Sequence, residues 1–235
     1  TNLSGADLSG SRDAKRDLTR TFFHNSDLSY ANMSNTNLQN MFFVNTNLEG
    51  VNLYNTDLTD SVLQYIKNRS LVGVNVTLAS FAYSDLQGLD VGEVDFYLTN
   101  FKNANLSGLD FTTSNFFGTN FFATNLTNAN LSGVDLSPKN QIYTEDFPNM
   151  AYLGNADLVT IINTLWPDNP NSFPITLEAI GNDLRVEYFF YTDLRDANLS
   201  GADLTNANLQ QVALWIADLT NANLDGADLT NADLA

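Results

Sequence analysis

The sequence has no cysteine and only one histidine, His24. Without thiols, the 235-residue chain cannot contain disulfides, thiolate metal sites or cysteine nucleophiles. A single imidazole excludes multi-histidine metal sites and leaves His24 as the only histidine available to a catalytic dyad or triad. We therefore expect a non-catalytic protein with no metal and no cofactor.

Basic residues are also scarce, because 10 Lys and Arg stand against 27 Asp and Glu, for a net charge of −17. This balance disfavours direct binding to nucleic acid and to anionic membrane surfaces. No apolar run approaches the roughly 18 residues that span a bilayer, and no basic-then-apolar signal peptide opens the chain. The chain begins inside a repeat without Met, which indicates a processed start or a piece of a longer protein.

Large apolar residues recur every five positions and divide the chain into segments. A first block occupies 1–63, a second 76–136 and a third 184–235, with a loop insertion at 64–75 and a mostly non-repeat insertion at 137–183. A period of five matches neither a helix nor a flat strand, but short extended pieces joined by tight turns bury these residues if four units close a coil. Residues 20 apart should then stack, as predicted for Phe81, Phe101 and Phe121.

The repeat resembles the pentapeptide-repeat family, whose consensus is A(D/N)LXX, and ADLTN and ANLDG near the C-terminus are typical units. The resemblance implies an all-β fold, a right-handed quadrilateral parallel β-helix, and the count of repeat units predicts a solenoid of about ten coils. The family shares an architecture and not an activity. Some members are acidic proteins that protect DNA gyrase from quinolones, and cyanobacterial relatives often reach the periplasm or thylakoid lumen.

Two shorter stretches break the repeat. Within residues 11–18, Asp13 and Arg16 would point inward, which favours a bulge or a loose first coil over a basic docking spot that would also use Arg12, Lys15 and Arg20. Between Leu63 and Val76 the phase shifts by three, which predicts a loop that leaves the coil. Its exposed features would be Tyr65, Lys67 and Arg69, in a neutral loop or a partner contact.

The insertion at 137–183 is the longest break. The segments LVTIINTLW (158–166) and ITLEAIGND (175–183) are predicted as short helices, with Trp166 packing on an end or side of the solenoid. The insertion would cover the coil, join two solenoid segments, or carry binding specificity.

Outward aromatic residues complete the candidate contacts. Phe22 and Phe42 both precede a repeat centre, with Val62 next in the same row, so they predict an exposed apolar strip. Tyr97 and Phe117 follow a centre, and Phe122 lies on the neighbouring face. Cover by one of the insertions is the alternative. The full set of candidate partner contacts is Phe22, Phe42, Tyr65, Lys67, Arg69, Tyr97, Phe117, Phe122 and Trp166.

Two functions follow from these features. The first is a non-catalytic scaffold that binds a protein partner. The second is a DNA mimic that binds a nucleic-acid-binding enzyme such as DNA gyrase, because the negative charge is comparable with that of a DNA segment of similar length. Relatives also suggest an end-to-end homodimer through the C-terminal coil. Both a cytoplasmic and an exported chain fit the sequence.

Overall fold

The computed structural model describes residues 1–11, 13–137, 175–180, 183–188 and 192–234. It contains four strands: β1 Arg16–Asp17, β2 Thr36–Asn37, β3 Ile175–Ile180 and β4 Asp183–Tyr188. Strands β1 and β2 pair in parallel, with Arg16 opposite Thr36. The other coil contacts are isolated parallel bridges, such as Asn32 with Asn52 and Asn105 with Asn125. The chain is thus a β-solenoid whose coils stack at the predicted spacing, since the members of these pairs lie 20 apart in the sequence.

Each repeat unit turns because of its polar residues. The Asp or Asn before a centre accepts the amide N–H two residues later, as Asp57 does from Thr59 at 3.0 Å. The second residue after most centres has a positive φ, which Asn and Gly adopt most easily, as at Asn55 (φ 53°). Side-chain amides then link neighbouring coils, because Asn125 Nδ2 donates to Asn105 Oδ1 at 3.0 Å. The repeat therefore encodes the turn and the ladder together.

The core lies inside the coil and consists of the repeat centres. Phe81, Phe101 and Phe121 are fully buried, and their rings stack at centroid distances of 5.5 and 5.6 Å. The smaller inward position, two residues before a centre, often holds a threonine whose hydroxyl donates to a backbone carbonyl. Thr46 Oγ1, for example, lies 2.6 Å from the Phe23 carbonyl oxygen. One large and one small side chain per unit fill the interior, as the sequence predicts.

The first break is a bulge, which is the alternative that the sequence favours. Asp13 and Arg16 are exposed instead of inward, and the bridges Asn2–Asp27 and Asp7–Asn32 join positions that lie 25 apart instead of 20. The amides of Gly10 and Arg16 bond to the adjacent carbonyls of Ser34 and Asn35. The first coil is therefore five residues longer than a normal coil, and the exposed positions of Asp13 and Arg16 avoid the burial of their charges.

The second break is shorter than the predicted loop at 64–75. Ile66, Leu71 and Val74 are buried in the core. Ser70 and Asn75 already pair in the ladder, and Asn75 lies 23 positions after its bridge partner Asn52. Only three residues more than a normal coil are accommodated here, so residues 71–75 belong to the solenoid.

The third break contains a hairpin where we predicted a helix and a repeat unit. Strands β3 and β4 pair in antiparallel fashion, with Leu177 opposite Val186 and Ala179 opposite Leu184. The prediction of a helix over 175–183 is wrong, as is the placement of Leu184 as a coil centre. Alternating apolar and polar residues on both sides of a Gly-Asn pair favour a hairpin over the five-residue repeat. The predicted helix at 158–166, with Trp166, lies outside the described residues.

The coil resumes in register after this break. Asn120 pairs with Asp193 and Asn125 with Asn198, each pair 73 apart in the sequence. The bulge follows Leu8 and precedes Leu18, and the long insertion follows Leu136 and precedes Leu194. Both therefore leave the coil at the same turn. In the described part of the chain, no helix is long and apolar enough to cross a membrane.

Candidate functional site

The first three coils expose an apolar strip formed by Phe22, Phe42 and Val62. These residues occupy the position that holds Asn or Asp in most units, and Phe42 bridges Val62 in the ladder. Phe22 is 84% exposed and Phe42 is 52% exposed, whereas Val62 is half-buried. Beneath them the rings of Phe23 and Phe43 stack at 6.2 Å and 3°, which holds the strip on a packed base. The structure thus places the predicted strip on the surface, which keeps Phe22 and Phe42 as candidate contacts.

The turn after the strip enlarges the apolar surface. Val44 is exposed, and the ring of His24 lies 6.4 Å from that of Phe22. Asn45 Nδ2 donates to Asn25 Oδ1 at 2.9 Å, which fixes this edge. Tyr65 lies at the end of this edge. Its carbonyl oxygen accepts a hydrogen bond from the Asn45 amide at 2.8 Å, and its ring is exposed. The predicted contact Tyr65 therefore borders the strip, and Val44 is a member that the sequence analysis missed.

The turn before the strip carries charge. Arg20, Asn40 and Asp60 occupy equivalent positions, each two residues after a centre, in the first, second and third coils. All three are exposed. A cation therefore lies at one end of this edge, an amide in its middle and a carboxylate at the other end.

Charge divides the chain along its length. Residues 1–69 contain six Lys or Arg and seven Asp or Glu, a net charge of −1. Residues 70–235 contain four and twenty, a net charge of −16. The apolar strip therefore lies in the electrically balanced part of an otherwise acidic chain.

Lys67 and Arg69 lie beyond the strip and do not join it. The Lys67 amide donates to the Thr46 carbonyl at 2.9 Å, which anchors this stretch to the coil below. The Arg69 guanidinium lies over Gly88, since a Cβ there would come within 2.4 Å of its Nη2 atom. Both residues are exposed, as predicted.

Tyr97 and Phe117 do not form a free surface. Phe117 is only 4% exposed, with its ring 4.8 Å from that of the half-buried Tyr97. The next residue after Tyr97, Leu98, is fully buried, although equivalent turn residues such as Tyr83 and Asn103 are exposed. The prediction of an exposed aromatic patch is therefore wrong for Phe117. The remaining candidate, Trp166, lies outside the described residues.

Phe122 belongs to a column of alternating cations and aromatic rings. Lys102 Nζ lies 5.5 Å from the Phe122 centroid, and the Arg195 guanidinium lies 5.6 Å from Phe122 and 5.4 Å from Trp215. Arg195 Nε also donates to Asp193 at 2.7 Å, and this bond raises the pKa of Arg195. This column does not follow from the sequence, because Phe122 and Arg195 stack only through the register that spans the long insertion.

Hydrogen bonds from the turn hold three of the ladder carboxylates in their charged form. Hydroxyl and amide donors two residues later lower the pKa of Asp27, Asp203 and Asp218, with the hydroxyl bond as the larger cause. A carboxylate with a lowered pKa is a poor proton donor at neutral pH. Among the described residues, no group of His, Asp or Glu is placed to hold a metal ion.

Known proteins share the repeat. The family model described as Pentapeptide repeats matches eight copies, over residues 14–40, 26–64, 79–118, 95–137, 188–215 and 197–235. No curated protein sequence matches the chain significantly.

Several solved structures are similar to the chain. HetL, a pentapeptide repeat protein involved in heterocyst differentiation regulation from the cyanobacterium Nostoc sp. strain PCC 7120, is 21% identical over 99% of this chain and 86% of its own, with a TM-score of 0.44. QnrB1, a plasmid-mediated fluoroquinolone resistance protein, is 16% identical over 100% and 91%, with a TM-score of 0.25. A pentapeptide repeat protein from the Arabidopsis thaliana thylakoid lumen is 20% identical over 69% and 92%, with a TM-score of 0.18.

Proposed function

Because the chain belongs to the pentapeptide-repeat family, we propose that it is a non-catalytic solenoid that acts by binding other protein molecules through its outer surface. The observation that carries this proposal is the apolar strip of Phe22, Phe42 and Val62, in a ladder otherwise rich in Asn and Asp. Exposed aromatic side chains in a soluble protein are typical of interfaces. The strip is built on fixed backbone and a packed base, so it binds without ordering a loop.

The finer features of the fold belong to the same proposal. The family resemblance favours a right-handed coil with four sides. The bridging register supports about nine coils rather than about ten, since Asp13 and Leu184 lie outside the coil whereas Leu71 joins it. An end-to-end homodimer through the C-terminal coil remains a prediction.

A photo-cross-linking experiment tests the binding proposal. A photoreactive amino acid replaces Gln64 beside the strip in one variant and Asn103, an exposed residue of an acidic coil, in the other. We expect protein adducts from position 64 that disappear when Phe22 and Phe42 are both changed to Ser, and few from position 103. Equal adducts at both positions, unaffected by the serine changes, would remove the strip from the proposal.

The charge distribution favours a second candidate function. A net charge of −16 after residue 69 supports mimicry of DNA toward a nucleic-acid-binding enzyme such as DNA gyrase, and hydrogen bonds from the turns lower the pKa of two of its carboxylates, Asp203 and Asp218. In that case the acidic coils, and not the strip, would make the contact. A supercoiling assay with and without a quinolone tests it, and unchanged gyrase activity at micromolar protein would contradict it.

A further inference from the structure

We infer that the strip is a self-association surface, on which two copies of the chain pack antiparallel about a two-fold axis at Phe42. This inference rests on the proposed function, because it names the occupant of the same surface. The order of side chains along the first three coils supports it. When a second copy runs in the opposite direction, its side chains complement those of the first.

A two-fold axis in the plane of the interface, perpendicular to the solenoid axis, reverses the order of the coils. It brings Phe42 against Phe42 of the second copy, and Phe22 against Val62 of the second copy. The two most exposed rings are then covered, and the packed base of Phe23 and Phe43 supports them. The strip is about 10 Å long, from two coil spacings of about 4.8 Å.

The same axis places each turn against the equivalent turn of the second copy. On the turn before the strip, Arg20 then lies opposite Asp60 of the second copy, and Asn40 lies opposite its own equivalent. Both cations and both carboxylates of the two edges are paired by this one operation. A parallel arrangement would bring the turn before the strip against the turn after it, and would lose these pairs.

The turn after the strip fits the arrangement because none of its residues 24, 25, 44, 45, 64 and 65 is Lys, Arg, Asp or Glu. Val44 lies on the axis, and His24 comes opposite Gln64 and Tyr65 of the second copy. The overlap involves only the part of the chain with a net charge of −1, so the parts with −16 point away from each other. Self-repulsion is therefore lower than in the parallel arrangement, which would bring the acidic parts side by side.

Sedimentation velocity over a wide range of protein concentration tests the association. We expect a weak, reversible dimer, because a strip of this size buries less surface than a stable dimer needs. Phe42→Ser should weaken it by about tenfold or more, since Phe42 is the central aromatic residue. Tyr83→Ser is the matched control, because Tyr83 is as exposed as Phe42 but lies in another turn.

Charge reversal tests the antiparallel order. Arg20→Glu and Asp60→Lys should each weaken the dimer by about two- to fivefold at low salt, because each places like charges opposite one another. The double variant Arg20→Glu/Asp60→Lys should restore the wild-type affinity. Additive weakening in the double variant would overturn the antiparallel order.

The absence of cysteine allows a direct test of the axis. Asn40→Cys places one thiol beside the axis and should give a disulfide-linked dimer on mild oxidation. Asn103→Cys should give little disulfide-linked dimer. Asn103 is a matched control because it is also exposed and has a φ of 56°, against 58° for Asn40. Equal cross-linking of both variants, or a wild-type chain that stays monomeric at all concentrations, would overturn the inference.

The outcome also separates this inference from the proposed function. If position 64 cross-links only to proteins other than this chain while the wild type stays monomeric, the strip binds a different partner and self-association is refuted. If neither adducts nor dimers form, both fail. If Phe42→Ser leaves the dimer unchanged and Leu234→Ser abolishes it, the interface lies at the C-terminal coil, where Leu234 is exposed. That result would overturn the inference.

Discussion

The first three coils and the coils that follow share one backbone ladder but differ in the side chains at its outer position. In the first three, the column of Phe22, Phe42 and Val62 is apolar and the surrounding charges balance. Further along the same column, Asp85, Asn105 and Asn125 occupy the equivalent position and form a polar ladder. The coil therefore tolerates either chemistry outside, because backbone hydrogen bonds join the coils in both regions and the repeat centres form the core.

Loss of a core side chain should lower the free energy of unfolding of the whole solenoid, and this is the largest effect that we expect. Phe101→Ala removes the middle ring of the column formed by Phe81, Phe101 and Phe121, and should lower the free energy of unfolding by about 3–5 kcal/mol. Phe42→Ala removes an exposed ring of the first coils and should change it by less than about 0.5 kcal/mol. Urea denaturation of both variants checks this, and equal losses would contradict the inward and outward assignment.

A glycine in each region tests the bulge. A Cβ at Gly10 would lie 2.1 Å from the Asn35 carbonyl oxygen and 2.4 Å from the Arg16 nitrogen, both backbone atoms. Gly10→Ala must therefore open the bulge, at a cost of at least about 2 kcal/mol. Gly108→Ala, at a φ of 69° with open space around it, should cost about 1 kcal/mol through backbone strain alone. Thermal unfolding distinguishes them, and similar losses would contradict the close approach at Gly10.

A fall in pH should lower the stability of both regions, and the effect for each carboxylate is the smallest that we expect. Hydrogen bonds lower the pKa of Asp7 and Asp17 in the first coil and of Asp203 and Asp228 near the C-terminus. Because the folded pKa lies below the unfolded value, this stabilisation is complete above that value, which is about 3.9. It is lost as the pH falls through the lowered folded values.

Unfolding by urea between pH 7 and pH 2 measures that loss. Asp203→Asn in the acidic coils and Asp17→Asn in the first coil should each make stability less dependent on pH in the acid range. An unchanged slope in both variants would show that these turns do not hold the carboxylates.

Much of the coil and the bulge within residues 11–18 could be predicted from the sequence, but the length of the second break and the hairpin in the third could not. The five-residue period fixes which residues are buried, because only one spacing places Phe81, Phe101 and Phe121 in one column. At Asp13 the repeat phase continues while the chain bulges out, since burial of charge costs more than a longer coil. The five-residue repeat resumes at Leu71, which is buried as a repeat centre. The apolar Val72 and Gly73 that follow it make this centre hard to recognise in the sequence.

The candidate surface was predicted in part. The exposed positions of Phe22, Phe42 and Tyr65 follow from their place in the repeat. Burial of Phe117 does not follow from the repeat, because its position in the repeat faces outward.

The sequence by itself determined the coil, its core and the positions that face outward, because each depends on contacts within one repeat and with the equivalent repeat of the next coil. Only the tertiary structure decided the column of Lys102, Phe122, Arg195 and Trp215, and the turn that the bulge and the long insertion share. The contact between Phe122 and Arg195 and the shared turn join parts of the chain that lie 25 or 73 apart in the sequence. The bulge and the long insertion, and not the repeat, set those distances.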